Sequence, residues 1–157
     1  MDAASRDWIW MLHADSEVPL QTQQSMVRFI QEAEAPCWGR FEIGISELGV
    51  VAWFMNKRSM LTKICTGDQG IFAHRTLIEG IDGFPDQSLM EDIEFSKRLK
   101  RRYSSAFVRV DAYIYADPRR WRNRGVIRTV LSMWRYRLRY FFGADPERLY
   151  LEYYGHV

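Results

Sequence analysis

The sequence predicts one mixed α/β domain, and three kinds of segment predict it. A five-residue apolar run, Trp8-Ile9-Trp10-Met11-Leu12, stops at His13-Ala14-Asp15-Ser16. Residues 38–45 and 107–115 alternate apolar with polar side chains, and 20–33, 48–61, 88–102 and 126–142 carry apolar residues near helical spacing. The 157 residues suffice for one domain with a real core. With 47% apolar and 27% charged residues the balance is that of an ordinary soluble globular protein.

The run 8–12 reads as a strand buried on both faces, the usual state of a central parallel strand. In open α/β sheets ligands gather outside the carboxyl ends of such strands. Asp15 therefore stands where a hard cation or a phosphate-bearing ligand is expected, with a solvated carboxylate opening a loop as the plain alternative. Pro19 fits the first turn of a helix that carries Leu20, Met26, Phe29, Ile30 and Ala33, and Ala35-Pro36 stops it. From 38 to 45, Trp38, Phe41, Ile43 and Ile45 alternate against Gly39, Arg40, Glu42 and Gly44, a strand with a slip near Gly39. A helix over 48–61, a turn at Thr66-Gly67-Asp68-Gln69-Gly70 and a short strand Ile71-Phe72-Ala73 follow.

Ile81-Asp82-Gly83-Phe84-Pro85 is a second break. Over 88–102, acids come early and bases late around Leu89, Ile93, Phe95 and Leu99, an order that complements the helix dipole. Residues 107–115 alternate as a strand. A basic, aromatic, amphipathic helix over 126–142 ends at Gly143, and Pro146 begins a short final helix. No repeat, low-complexity stretch or linker intervenes, so 1–157 reads as a single domain.

A net charge of +2 makes no global case for nucleic acid, but between Pro118 and Ala144 there are eight Arg and no Asp or Glu. Such a run is either a solvated basic face or a place for phosphate or anionic headgroups, which guanidinium pairs bidentately. The aromatic share of 15%, with six Trp, reads chiefly as core rings, a sugar- or lipid-facing surface being the alternative. Cys37 and Cys65 read as reduced, buried thiols of a cytosolic protein. His13, His74 and His156 lack zinc-ligand spacing. No secretory signal is seen, and no apolar stretch reaches the roughly 20 residues a bilayer span needs.

Three places break the hydrophobic pattern with polar groups. Asp15 is the first. In Gly67-Asp68-Gln69-Gly70, glycines let the backbone approach a ligand, or simply make a turn. Glu91-Asp92 opens a helix, either complementing its dipole or holding a general base near the other carboxylates. Neither a Gly-x-Ser-x-Gly nucleophile nor a phosphate-cradling Gly-Lys loop is present. A metal-plus-base arrangement remains: one carboxylate helps hold Mg²⁺ or Mn²⁺ on substrate phosphates, and another takes a proton from an attacking hydroxyl. Arg119-Arg120-Trp121 would neutralise phosphate charge or line an acceptor site.

The ordered set His13-Ala14-Asp15, Gly67-Asp68-Gln69, Glu91-Asp92 and Arg119-Arg120-Trp121 resembles the family-2 glycosyltransferases of the GT-A fold. It looks closest to bacterial members whose strand reads Leu-His-Ala-Asp and whose later segments read Gly-Asp-Gln-Gly and Met-Glu-Asp-Ile-Glu. The likeness runs from Trp8 to Tyr154. It implies a truncated GT-A-like mixed sheet flanked by helices, with C-terminal amphipathic helices. The chain resembles the carboxyl-terminal two-thirds of such an enzyme, since no Pro-x-x-Asn-Glu strand of the nucleotide-binding part lies upstream of Trp8. Donor binding by the chain itself is accordingly expected to be weak or absent.

By that resemblance Asp15 matches the metal-binding acid of the Asp-x-Asp motif, and His13 replaces its first acid and becomes a diphosphate contact. Asp68 and Gln69 join the substrate site. Asp92 matches the base of an inverting single displacement, with Glu91 beside it. Arg120-Trp121 matches the end of a Gln-x-x-Arg-Trp motif whose glutamine position holds Asp117, so a single transfer is implied and processive synthesis is not. Mg²⁺ or Mn²⁺, a nucleotide-sugar donor, an acceptor glycan, lipid or small molecule, and a cytoplasmic location follow. The alternative is a catalytically inactive remnant that binds a membrane surface or a partner through 126–142. For that helix, packing of the apolar face on the sheet with solvated Arg is the favoured reading. Nucleic-acid binding is disfavoured, because the aromatic residues form no single-strand-binding arrangement.

Overall fold

Strands form where apolar residues alternate or run together. In the computed structural model, which describes residues 6–155 apart from the side chains of Arg120, Asn123 and Arg124, β1 (Trp8–Trp10), β2 (Trp38–Ile45), β3 (Phe72–His74) and β4 (Phe107–Ala116) form one mixed sheet in the order β1-β3-β2-β4. β3 is antiparallel to both β1 and β2, and β2 is parallel to β4. The described chain divides into two compact units. One holds the residues up to Phe84 together with Asp92–Asp117; the other holds Pro85–Glu91 and the residues from Pro118 onward.

The first unit is a three-layer arrangement. Helix α1 (Leu20–Glu32) places Met26, Phe29 and Ile30 on one sheet face with Phe41, Phe72 and Ile114. Thr22 reinforces the contact by donating to the Tyr113 carbonyl at 2.7 Å. The other face carries Trp38, Cys65, Ile71, Leu77, Ile78, Phe95 and Leu99. These come from β2, from α3 (Arg75–Glu79), from α4 (Glu91–Tyr103) and from the connections that hold Cys65 and Ile71, with α2 (Gly49–Thr62) packed on β2. Burying each such Leu, Ile or Phe contributes about 1.5–3 kcal/mol. Cys65 is fully buried and its thiol is pushed up to about 12 by desolvation, an inert core group.

The apolar run at the start is not the central parallel strand that its composition predicts. β1 is a three-residue edge strand, half-buried, whose single partner in the sheet is the antiparallel β3. Its aromatic residues have local reasons: Trp8 meets Phe29 edge-on with ring centroids 5.7 Å apart, and Trp10 stacks on Phe41 at 4.8 Å.

β2 occupies the expected residues. Its polar positions are not on a solvated face: Arg40 and Glu42 are buried along with the apolar residues. α2 covers them, and the two pair at 3.1 Å while Arg40 also donates to the Asn56 carbonyl at 3.0 Å. A buried charge needs this pairing. The register slip falls between Arg40 and Glu42, next to Gly39, where a Cβ would lie 2.1 Å from the Val108 carbonyl oxygen.

The second unit contains α5 (Arg119–Arg124), α6 (Val126–Phe141) and α7 (Pro146–Tyr154). Asp145 caps α7 by accepting from the Glu147 N–H, and Pro146 occupies its first turn. Arg139 on α6 and Glu152 on α7 form a two-pronged ion pair, its longer bond 2.8 Å, and the guanidinium holds the carboxyl below its ordinary value. Tyr136 meets Tyr153 edge-on at 5.3 Å. Short α3 and α5 escape sequence reading because five or six residues are too few to display a helical period. Among the described residues no helix is long and apolar enough to cross a membrane.

Candidate functional site

After β1, Met11 donates to the Ile71 carbonyl at 2.8 Å, and Glu17 exchanges main-chain hydrogen bonds of 2.8 and 2.9 Å with Tyr115 at the end of β4. The segment between them thus crosses the carboxyl ends of the parallel strands, from one sheet edge to the other. Ala14 and Asp15 form a turn there, closed by the Ser16 N–H on the His13 carbonyl at 3.1 Å. Asp15 thus lies by the strand ends, although the strand that precedes it is an edge and not a central parallel strand.

His13, Asp68 and Asp92 come together around Gly67. His13 Nδ1 lies 3.0 Å from Asp68 Oδ1. The Gly67 N–H donates to Asp92 Oδ2 at 2.8 Å, and Asp92 Oδ1 accepts the Ile93 N–H at 2.7 Å. Gly67 lets this happen by close approach: a Cβ there would fall 2.0 Å from His13 Nε2. The Asp92 carboxylate thus takes up one of the amides that a first helical turn leaves without an intrahelical partner and links the start of α4 to the 3₁₀ turn Gly67–Gln69. Ser96, one helical turn on, adds a second tie by accepting from the Cys65 N–H at 3.1 Å.

The electrostatics follow from this geometry. His13 is raised from 6.5 to about 9, chiefly by its hydrogen bond to Asp68, with desolvation opposing and the charges of Asp68, Asp92 and Asp15 adding to the rise. At neutral pH His13 is an imidazolium beside three carboxylates. It can meet an anion and cannot serve as a metal ligand in that state.

Gln69 has a different place from the substrate contact expected of it. It is fully buried, and its amide donates to Ser59 Oγ at 2.8 Å and Asn56 Oδ1 at 3.2 Å while accepting from the Thr66 N–H at 3.3 Å. Asn56 in turn bonds both the N–H and the carbonyl of Ile43 at 3.0 Å, serving the edge of β2 beyond its short pairing with β3. Gln69 is therefore a positioning residue that fixes the turn bearing Gly67 and Asp68. Asn56, Ser59 and Ser96, which complete this support, were not singled out from sequence. Their one legible signal is a polar side chain on the buried face of a helix.

Asp15 is exposed. Among the described residues no group of three His, Cys, Asp or Glu side chains converges as a metal cage. Mg²⁺ and Mn²⁺ do not require one when one or two carboxylates act together with substrate phosphates. For such an ion the exposed Asp15 carboxylate would be the oxygen donor. Glu91 opens α4 and falls with the second unit. So does Trp121, which is buried in α5, and the side chain of Arg120 lies outside the described residues, as does His156.

Comparison with protein-family models, with curated proteins and with solved structures finds no match to this chain.

Proposed function

We propose that this chain acts in the inverting transfer of a sugar from a nucleotide-sugar donor to an acceptor hydroxyl, with Asp92 as the base. The observation that carries the reading is the Asp92 carboxylate, held by the Gly67 and Ile93 N–H groups beside the His13–Asp68 pair at the strand ends. The order of the four sequence motifs adds to it.

In this mechanism Asp92 accepts the proton of the acceptor hydroxyl as the oxygen forms its bond to the anomeric carbon. The bond from that carbon to the diphosphate oxygen breaks, and the electron pair leaves with the nucleoside diphosphate. Two main-chain donors fix the carboxylate orientation, so no reorganisation accompanies the proton transfer. The His13 imidazolium, locked by Asp68, stands as a cation for the diphosphate. Asp15 would be the residue that holds a Mg²⁺ or Mn²⁺ ion, and the chemistry such an ion would supply there is further neutralisation of diphosphate charge. Glu91, Arg120 and Trp121 belong to the same proposal as catalytic neighbour and substrate contacts, and the reaction is placed in the cytoplasm.

The test is release of nucleoside diphosphate from a panel of nucleotide sugars with Mn²⁺, measured for the chain and for Asp92→Asn. Release that the substitution abolishes, with the circular dichroism spectrum unchanged, supports the reading. No release from the parent chain, or undiminished release from the variant, overturns it.

A further inference from the structure

Helix α6 turns an apolar stripe outward. Ile127, Leu131, Trp134, Leu138, Phe141 and Phe142 are each between 50% and 80% exposed. At about 3.6 residues per turn their spacing puts them on one face. The opposite face is already used, with Thr129 buried and Tyr136 set against Tyr153. Within the second unit the residues of this stripe stay exposed, and α7 meets the helix from another side, at Tyr136 and Arg139. Arg128 and Arg135 border the stripe on one side and Arg137 on the other, and the helix contains no Asp or Glu.

We propose that this face of α6 lies on an anionic lipid surface. Apolar side chains would enter the headgroup boundary, with Trp134 and the Phe141-Phe142 pair as aromatic anchors. The bordering arginines would reach lipid phosphates while their aliphatic stems cover the apolar edge. Charge selects this occupant over a second copy of the chain. Two such stripes facing each other would set arginine rows side by side with no acid on either helix to receive them. Length excludes insertion across the bilayer: 16 residues span about 24 Å, short of the roughly 30 Å hydrocarbon core. The inference uses only the second unit and does not depend on the sugar-transfer reading.

Sedimentation of the full chain with vesicles of phosphatidylcholine, alone or mixed with phosphatidylglycerol, tests it. Binding to the mixed vesicles at least tenfold tighter than to the neutral ones, weakening as salt rises, is expected. Leu131→Ser/Phe141→Ser and Arg128→Gln/Arg135→Gln should each weaken it about tenfold or more. Both pairs lie outside the core, and the arginine pair keeps the test sharp should the first variant fail to fold. Absence of binding to the mixed vesicles, equal affinity for both kinds, or arginine variants that bind like the parent would each overturn the proposal. A dimer that dissolves in Leu131→Ser/Phe141→Ser, in a chain that ignores vesicles, would overturn it in favour of self-association.

Discussion

The main-chain nitrogen of Gly67 lies 2.8 Å from Asp92 Oδ2. Twenty-five residues separate them in the chain, and the bond turns a helix-opening acid into the partner of a glycine turn that also seats His13. Asp92→Asn keeps the shape but replaces one accepting oxygen by a donor, which cannot serve both N–H groups. A fall in transfer of about 10²–10⁴ is expected. A stability loss of about 1–3 kcal/mol, read from urea unfolding, should accompany it.

His13 should titrate with a midpoint near 9, and its ring protons report this directly by NMR. The folded value is raised above the unfolded 6.5, so the stabilisation is fully present below about pH 6.5 and is lost as pH rises through about 9. Asp68→Asn removes the main cause and should return the midpoint toward 6.5 and flatten this part of the stability profile. A midpoint unmoved by Asp68→Asn would show that the pair is not formed in solution.

Gly67→Ala places a methyl group where His13 Nε2 now lies, 2.0 Å from the new carbon. The ring must leave, and with it the Asp68 bond. A destabilisation of about 1–3 kcal/mol together with a lowered His13 midpoint is expected; an alanine variant with the parent's titration curve would contradict the packing.

Gln69→Ala tests support of the turn. The Thr66 N–H loses its acceptor in a buried place, costing about 1–3 kcal/mol, while the Ser59 hydroxyl loses the Gln69 donor but keeps the Asn56 carbonyl. Because Gln69 has no exposed surface, Gln69→Glu should also destabilise by burying a charge. A direct substrate contact would instead leave stability intact and raise only KM.

Asp15→Asn, on an exposed turn, should leave thermal unfolding within about 0.5 kcal/mol of the parent. The Mn²⁺ concentration for half-maximal transfer should rise about tenfold, the equivalent of about 1.4 kcal/mol. An unchanged metal requirement would remove Asp15 from the metal-binding role.

Local chemistry determined much of this protein before any contact was known. The alternation at 38–45 coincides with β2, the start at Pro146 coincides with that of α7, and acids before bases mark α4. The polar interruptions at His13, Asp68 and Asp92 were legible too, because each departs from a hydrophobic period. What tertiary structure alone decided is which surface each element covers. A continuous apolar run has the same composition whether it becomes a central strand or an edge held by aromatic stacking, and β1 is the edge. Alternation does not reveal a second layer, so the burial of Arg40 and Glu42 under α2 depends on Asn56 and on the pairing between them. The stripe on α6 carries the same residues packed or bare, and sequence does not reveal that Ile127, Leu131 and Phe141 are exposed. Gln69 likewise became support and Gly67 the centre of the candidate site, because side chains distant in sequence took up their hydrogen-bonding groups and their space.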